Sequence, residues 1–135
     1  MRSLLIILQV VVIITVSCSK NYEPRLSSQV PLKNCTQGQY GNDAVKICFD
    51  SLLEDSRCPR GALCIWMGTA TGEFSLSVNN NEQKITLSTA ASPALLPRDT
   101  VLMGYKIEFL DLLPYPDINV PGIPDYKAVI KITKL

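Results

Sequence analysis

The cysteines are the residues of this sequence whose type and spacing could do chemistry, and the 135-residue chain contains five of them but no histidine. They are Cys18, Cys35, Cys48, Cys58 and Cys64. The absence of imidazole excludes a Ser-His-Asp triad, a Cys-His pair and a histidine-ligated metal. The formal net charge of +1 provides no electrostatic attraction for nucleic acid. We therefore expect the cysteines to serve for attachment or cross-linking, with no cofactor and no nucleic-acid partner.

Cys18 follows a segment that is typical of an export signal. The apolar run from Leu4 to Val16 is shorter than the roughly 20 apolar residues that a membrane-spanning helix needs. Val16, Ser17 and Cys18 resemble the lipobox of bacterial lipoproteins, in which the signal is cleaved before the cysteine and the cysteine sulfur is diacylated. The resemblance implies a signal peptide over residues 1–17 and a palmitate-type anchor on Cys18. The protein would then be attached to a lipid bilayer of the bacterial cell envelope, facing the periplasm or the cell surface.

Two alternatives to lipidation remain open. Thr15 occupies a position where lipoproteins usually have leucine, and Ser17 with Ser19 satisfies the small-x-small rule for ordinary signal cleavage. Cleavage after Ser19 would give a secreted protein, and an uncleaved signal would give an N-terminal anchor. In either case we interpret the polar, proline-containing residues 18–31 as a flexible tether and residues 32–135 as one domain.

The four remaining cysteines predict two disulfide bonds, because the chain is small and exported. Cys58 and Cys64 are six residues apart around a Pro-Arg-Gly turn, and Cys35 and Cys48 enclose a stretch that is rich in turn formers. Proximity therefore favours the pairs Cys35–Cys48 and Cys58–Cys64, although spacing alone leaves the other two pairings open. A Cys₄ zinc site would use shorter Cys-x₂₋₄-Cys spacings, so we expect no metal.

Apolar and polar residues alternate with a period of two in four segments, which is the pattern of half-buried strands. The apolar members are Val45, Ile47 and Phe49; Phe74, Leu76 and Val78; Tyr105, Ile107 and Phe109; and Tyr126, Ala128, Ile130 and Ile132. Asn79–Asn81 predicts a hairpin turn, and Gly68 in the apolar stretch Leu63–Ala70 predicts a bulge before the next strand. No helical periodicity follows the signal. We therefore predict an all-β fold, a small antiparallel β-sandwich or open barrel with two disulfides.

One segment contains a recurring combination of residues, an Asp-Ser-Arg-Cys-Pro stretch followed by Cys-x-Trp-x-Gly. The matching residues are Asp55, Ser56, Arg57, Cys58, Pro59, Cys64, Trp66 and Gly68. The segment resembles a motif of small exported bacterial domains, many of them lipoproteins. The resemblance supports export, a compact domain and a Cys58–Cys64 bond, but it implies no activity.

Three residues are candidates for binding a ligand or partner. Arg57 could bind an anion, but a guanidinium beside Asp55 is more typical of a side chain that organises a loop. Trp66 could anchor a partner, although a lone tryptophan near a disulfide favours a core position. Tyr115 lies in the proline-rich loop 114–124, which could be a binding surface. The structural interpretation of that loop is a rigid crossover with Tyr115 and Ile118 folded over the core.

Two classes of function fit these observations. The first is a membrane-tethered, non-catalytic binding or structural module that meets an envelope or extracellular protein partner, with an inhibitor of exported proteases as one version. The second is a small enzyme with a carboxylate-based or Ser/Lys-based site. No spacing in the sequence assembles catalytic residues, since the neighbouring carboxylates Glu54 and Asp55 would point to opposite faces of a strand. We therefore expect a binding module rather than an enzyme.

Overall fold

The computed structural model describes residues 26–90, 96–120, 122 and 124–135. Eight strands form in this part of the chain: β1 Leu26–Pro31, β2 Asn34–Tyr40, β3 Asp43–Asp55, β4 Ala70–Val78, β5 Asn81–Ser88, β6 Asp99–Leu102, β7 Tyr105–Leu113 and β8 Lys127–Lys134. Among the described residues, no helix is long and apolar enough to span a membrane. The predicted signal peptide and Cys18 lie outside the described residues, so both stay predictions.

The strands form two antiparallel sheets of four strands each. The first sheet has the order β1-β8-β7-β6, and the second has the order β2-β3-β4-β5. Both enclose one apolar core, in which the ring centroids of Phe49 and Phe74 are 5.1 Å apart and those of Phe74 and Phe109 are also 5.1 Å apart. Phe109 belongs to the first sheet and the other two rings to the second. The predicted all-β fold is thereby confirmed, as a sandwich of two antiparallel sheets.

The period-two patterns identify the buried faces correctly. The buried apolar side chains include Val45, Ile47 and Phe49 of β3; Phe74, Leu76 and Val78 of β4; Tyr105, Ile107 and Phe109 of β7; and Ala128, Ile130 and Ile132 of β8. Strand β4 departs from simple alternation, because Ser75 and Ser77 on its other face are also buried. Ser75 is satisfied there by a 2.6 Å hydrogen bond that its hydroxyl donates to Asp50.

The predicted tether extended too far into the domain. Leu26–Pro31 is strand β1, which pairs in register with β8 from Ile132 to Lys127, and the Val30 side chain is fully buried. The serines and the terminal proline of this segment do not give the sequence pattern of a strand. It forms one nevertheless, because an edge strand is held mainly by backbone hydrogen bonds and tolerates proline at its end. The domain therefore includes Leu26–Pro31, which the sequence assigned to the tether.

Both favoured disulfides are present. Cys35 and Cys48 are directly opposite each other in the β2–β3 pairing, and Cys58–Cys64 closes a ring within the loop after β3. The residues between the first pair are mostly strand rather than turn, since β2 runs to Tyr40 and only Gly41 and Asn42 form the turn.

The two ends of the sandwich differ. At one, which we call the hairpin end, three two-residue turns connect strands: Gly41–Asn42, Asn79–Asn80 and Met103–Gly104. The asparagine turn confirms the hairpin that the sequence predicts. At the other, the loop end, longer segments follow β3 and β7. Leu26 enters at the hairpin end, because it pairs with Ile132, which in turn pairs with Ile107.

Candidate functional site

The loop between β3 and β4, residues 56–69, is closed at its base by backbone contacts. The Ser56 amide donates to the Thr69 carbonyl at 2.9 Å, and the Thr69 amide donates to the Ser56 hydroxyl at 3.2 Å. Gly68 has a φ of +66°, and a Cβ at this position would overlap the Ser56 carbonyl. Glycine is therefore required at the Gly68 position, which is a close backbone approach rather than the predicted strand bulge.

The first part of the loop is held by a turn and by the disulfide. The Ala62 amide donates to the Pro59 carbonyl at 3.1 Å, and Gly61 takes the positive φ, +84°, that a type II turn requires at this position. The Cys58–Cys64 bond spans this turn. Residues 58–64 are therefore one covalent ring with a fixed backbone turn inside it.

Arg57 fastens this ring to the sandwich. Its side chain is only 5% exposed, and its Nε and Nη2 donate to the two carboxylate oxygens of Asp55 at 2.7 and 2.8 Å. Its Nη1 donates to the Leu112 carbonyl at 2.6 Å and lies 3.4 Å from Asp111, across the sandwich. Burial by itself lowers the pKa of Arg57, but Asp55 and Asp111 outweigh it and raise the pKa. Arg57 thus organises the loop, as its position beside Asp55 in the sequence suggested.

Tyr115, in the loop that follows β7, contacts the loop between β3 and β4. The guanidinium carbons of Arg57 and Arg60 lie 4.8 and 5.5 Å from the centroid of its ring, within cation–π range. The Arg60 amide donates to the Pro116 carbonyl at 2.9 Å, and the Ile118 amide donates to the Arg60 carbonyl at 3.2 Å. These bonds hold residues 116–118 to the loop between β3 and β4, but Tyr115 packs on arginines and Ile118 is exposed, so the expectation that both fold over the core is wrong.

Trp66 does not belong to the core, contrary to the structural interpretation of the sequence. The residue is 58% exposed, and its indole N–H donates to the Ser56 carbonyl at 3.1 Å. This hydrogen bond holds the indole against the backbone at the base of the loop, outside the apolar core between the sheets. Trp66 therefore braces the loop through its nitrogen while much of its ring faces solvent.

Trp66 belongs to an exposed apolar group that we call the apolar loop: Leu63, Ile65, Trp66 and Met67. Leu63 and Ile65 have relative exposures of 105% and 101%, as in an extended chain, and Met67 is 87% exposed. The sequence presents these residues as an apolar stretch before a strand, which a buried strand would explain equally well. The structure has no strand between Asp55, where β3 ends, and Ala70, where β4 begins. Contiguous exposed apolar side chains on a small domain typically mark an interaction surface.

A groove adjoins the apolar loop on the side of β4 and β5. Its volume is about 780 Å³, and its lining includes Leu53, Glu54, Trp66, Thr71, Ser88 and Leu96. Trp66 contributes to both surfaces. The exposed apolar area at the loop end therefore extends from the tip of the apolar loop into this groove.

The hydroxyl–carboxylate pairs of the described residues do not form a recognisable catalytic group. The Tyr105 hydroxyl donates to Asp43 at 2.7 Å, and burial, with Asp43, raises the pKa of Tyr105 to about 12, so this hydroxyl stays protonated at neutral pH. Ser51 is similarly bonded to Glu73 at 2.6 Å. In the described ranges, no cluster of three cysteine or acidic side chains is arranged to hold a metal ion.

The chain matches no protein-family model, no curated protein and no solved structure. Arg57, Trp66 and Tyr115, the candidates from the sequence, are all brought together at the loop end. Leu63, Ile65 and Met67 were not singled out by the sequence, where an apolar run signals burial more often than display. For Leu63, the ring closed by Cys58 and Cys64 was the available signal, since a short disulfide ring leaves little room for its side chains to turn inward, whereas Ile65 and Met67 lie outside the ring.

Proposed function

We propose that this protein is an exported, membrane-tethered bacterial lipoprotein that acts as a non-catalytic binding module, and that it meets an envelope or extracellular protein through the apolar loop. The observation that carries this proposal is the exposure of Leu63, Ile65, Trp66 and Met67 on a loop whose frame is fixed. Two disulfides in a domain of this size suit an oxidising compartment outside the cytoplasm.

The energetics of the apolar loop favour association. Covering one fully exposed leucine, isoleucine or methionine side chain contributes about 1.5–3 kcal/mol. A loop that is already held by a disulfide, by Arg57 and by the Trp66 indole bond loses little further conformational entropy when it binds. The apolar loop thus combines exposed apolar side chains with a restrained backbone, and both properties favour binding to a partner.

The position of the tether supports a partner on the far side of the domain. Cys18 precedes Leu26 by eight residues, which span at most about 29 Å when fully extended. Strand β8, with eight residues, measures about 27 Å from the hairpin end to the loop end. An anchor on Cys18 would therefore be joined to the domain at the hairpin end, opposite the apolar loop.

Retention of partner proteins tests this proposal. The tagged full chain is recovered from cross-linked cell envelopes as wild type, as Ile65→Ser and as Val101→Ser. Val101 is a matched control, because it is 58% exposed on β6 and lies outside the apolar loop. We expect the wild type and Val101→Ser to retain the same proteins and Ile65→Ser to lose them.

An identical set of proteins on all three variants would contradict a role for the apolar loop. Turnover of a small-molecule or peptide substrate by the pure protein, with no protein retained, would instead favour the small-enzyme alternative.

A further inference from the structure

We propose that the partner is an exported endopeptidase with an apolar primary pocket, and that the apolar loop enters its substrate cleft with Leu63 in that pocket. This inference rests on the proposed binding function and specifies the chemistry of the partner. It is carried by the shape of the loop, by the covalent ring around it and by its charge.

The shape of the apolar loop is convex. Leu63 and Ile65 are as accessible as side chains in an extended chain, so no described residue covers either of them. A flat partner would cover only part of such side chains, whereas a cleft with separate pockets can surround each one. The complement of this loop is therefore concave and apolar, as in a peptidase cleft that selects leucine-like side chains.

The restrained backbone of the loop is suited to binding in a peptidase cleft. Protease–inhibitor complexes reach high affinity from interfaces of ordinary size, with little movement of the inhibitor backbone. In this chain the Ser56–Thr69 contacts, the Pro59–Ala62 turn and the Arg57 hydrogen bonds fix the loop on three sides. Leu63 is therefore presented by a backbone that has little freedom left to lose.

The disulfide ring protects the position next to Leu63. The peptide bond from Leu63 to Cys64 lies inside the ring closed by Cys58 and Cys64. Its hydrolysis would consume one water, leaving a carboxylate on Leu63 and an amine on Cys64. The Cys58–Cys64 bond would still join the two new ends, so the cleaved loop would remain in the cleft rather than depart as product.

The charge of the loop suits an apolar pocket. From Pro59 to Thr69 the sequence has one charged side chain, Arg60, which is directed to Tyr115 and lies 5.5 Å from its ring centroid. No carboxylate would have to be desolvated when the tip is buried, and burying an unpaired charge is costly. Leu63, Ile65 and Met67 can thus enter an apolar cleft without an opposing electrostatic cost.

A membrane is a weaker occupant for this surface. The chain from the anchor predicted at Cys18 joins the domain at the hairpin end, opposite the loop end. Insertion into lipid also gains nothing from a fixed backbone, whereas fitting into a protein cleft does. The restraint that the Arg57 hydrogen bonds and the disulfide place on the loop is therefore better explained by a protein partner.

A change of specificity at Leu63 tests the inference. The full chain, purified in detergent, is assayed against chymotrypsin, elastase and subtilisin, which prefer apolar residues, and against trypsin, whose pocket carries an aspartate. We expect inhibition of at least one of the first three. Leu63→Lys should weaken that inhibition by at least about 30-fold, the range of a binding hot spot, and should confer inhibition of trypsin.

The control is Val101→Lys, which adds the same charge at another exposed apolar residue and should leave the inhibition profile unchanged. After prolonged incubation, the wild-type chain that has been cut should gain the mass of one water and remain a single species until the disulfides are reduced. This readout separates a loop that occupies the cleft from a chain that is simply digested.

The inference is overturned if none of the three apolar-specific enzymes is inhibited, if Leu63→Lys inhibits them as the wild type does, or if the chain is degraded as a substrate. Binding of the loop to phosphatidylethanolamine–phosphatidylglycerol vesicles, lost in Leu63→Lys and without peptidase inhibition, would also overturn it. If envelope proteins are retained through Ile65 but no peptidase is inhibited, the proposed binding function stands and the peptidase inference falls. If neither occurs, both fail.

Discussion

At the scale of single residues, Arg57 connects the motif in the sequence to the geometry of the site. It is buried, it is paired bidentately with Asp55, and it donates to the Leu112 carbonyl on the opposite sheet. The sequence indicated its partner Asp55, because the two residues are separated by one position. It could not indicate Leu112, because contacts between residues that are far apart in the chain depend on the completed sandwich.

Removal of the Arg57 guanidinium should destabilise the fold. Arg57→Met keeps similar bulk but leaves the nearly buried Asp55 carboxylate without its partner, so we expect the free energy of unfolding to fall by about 3 kcal/mol. Arg60→Met is the matched control, since Arg60 is exposed and also stacks on Tyr115; its loss should cost less than about 1 kcal/mol. Urea unfolding of the three proteins measures the difference, and equal midpoints for both variants would refute this role.

At the scale of elements, alternation in the sequence is informative only where a strand has one buried face. It identified β3, β4, β7 and β8, whose inward side chains include Phe49, Phe74 and Phe109. It missed β1 and most of β2, because edge strands bury few side chains and are held by backbone pairing. Alternation also could not distinguish the exposed Leu63 and Ile65 from buried residues. The pattern shows which residues are apolar, but it does not show where a strand leaves the sheet.

The two sheets are tied together at the hairpin end by Asp43, and this tie should depend on pH. Asp43 accepts hydrogen bonds from Lys134 and from Tyr105, each at 2.7 Å, and these bonds, with one from Asn79, lower its pKa to about 2. Because the folded pKa lies below the unfolded value of about 3.9, the contribution is complete above that value and is lost as pH falls towards 2. Thermal unfolding of wild type should therefore lose stability between about pH 4 and pH 2 more steeply than Asp43→Asn. Parallel curves for the two proteins would exclude this tie as a source of acid sensitivity.

At the scale of the whole molecule, the fold separates two ends with different roles. The hairpin end receives the chain at Leu26, and the loop end carries the apolar loop together with Arg57 and Tyr115. Composition and alternation predicted the all-β architecture, and proximity favoured the two disulfide pairs that the structure shows. The difference between the two ends of the molecule could not be predicted, because it depends on the end of the sandwich at which each connection lies.

The central claim is that the apolar loop meets a protein at the end of the domain opposite its anchor. The most direct measurement places a photoreactive amino acid at Ile65 or at Met103 of the full chain in living cells and identifies the adducts after illumination. We predict protein adducts from position 65, and phospholipid adducts from position 103 that disappear when Cys18→Ser removes the anchor. Phospholipid adducts from position 65, or the absence of any protein adduct there, would contradict the account.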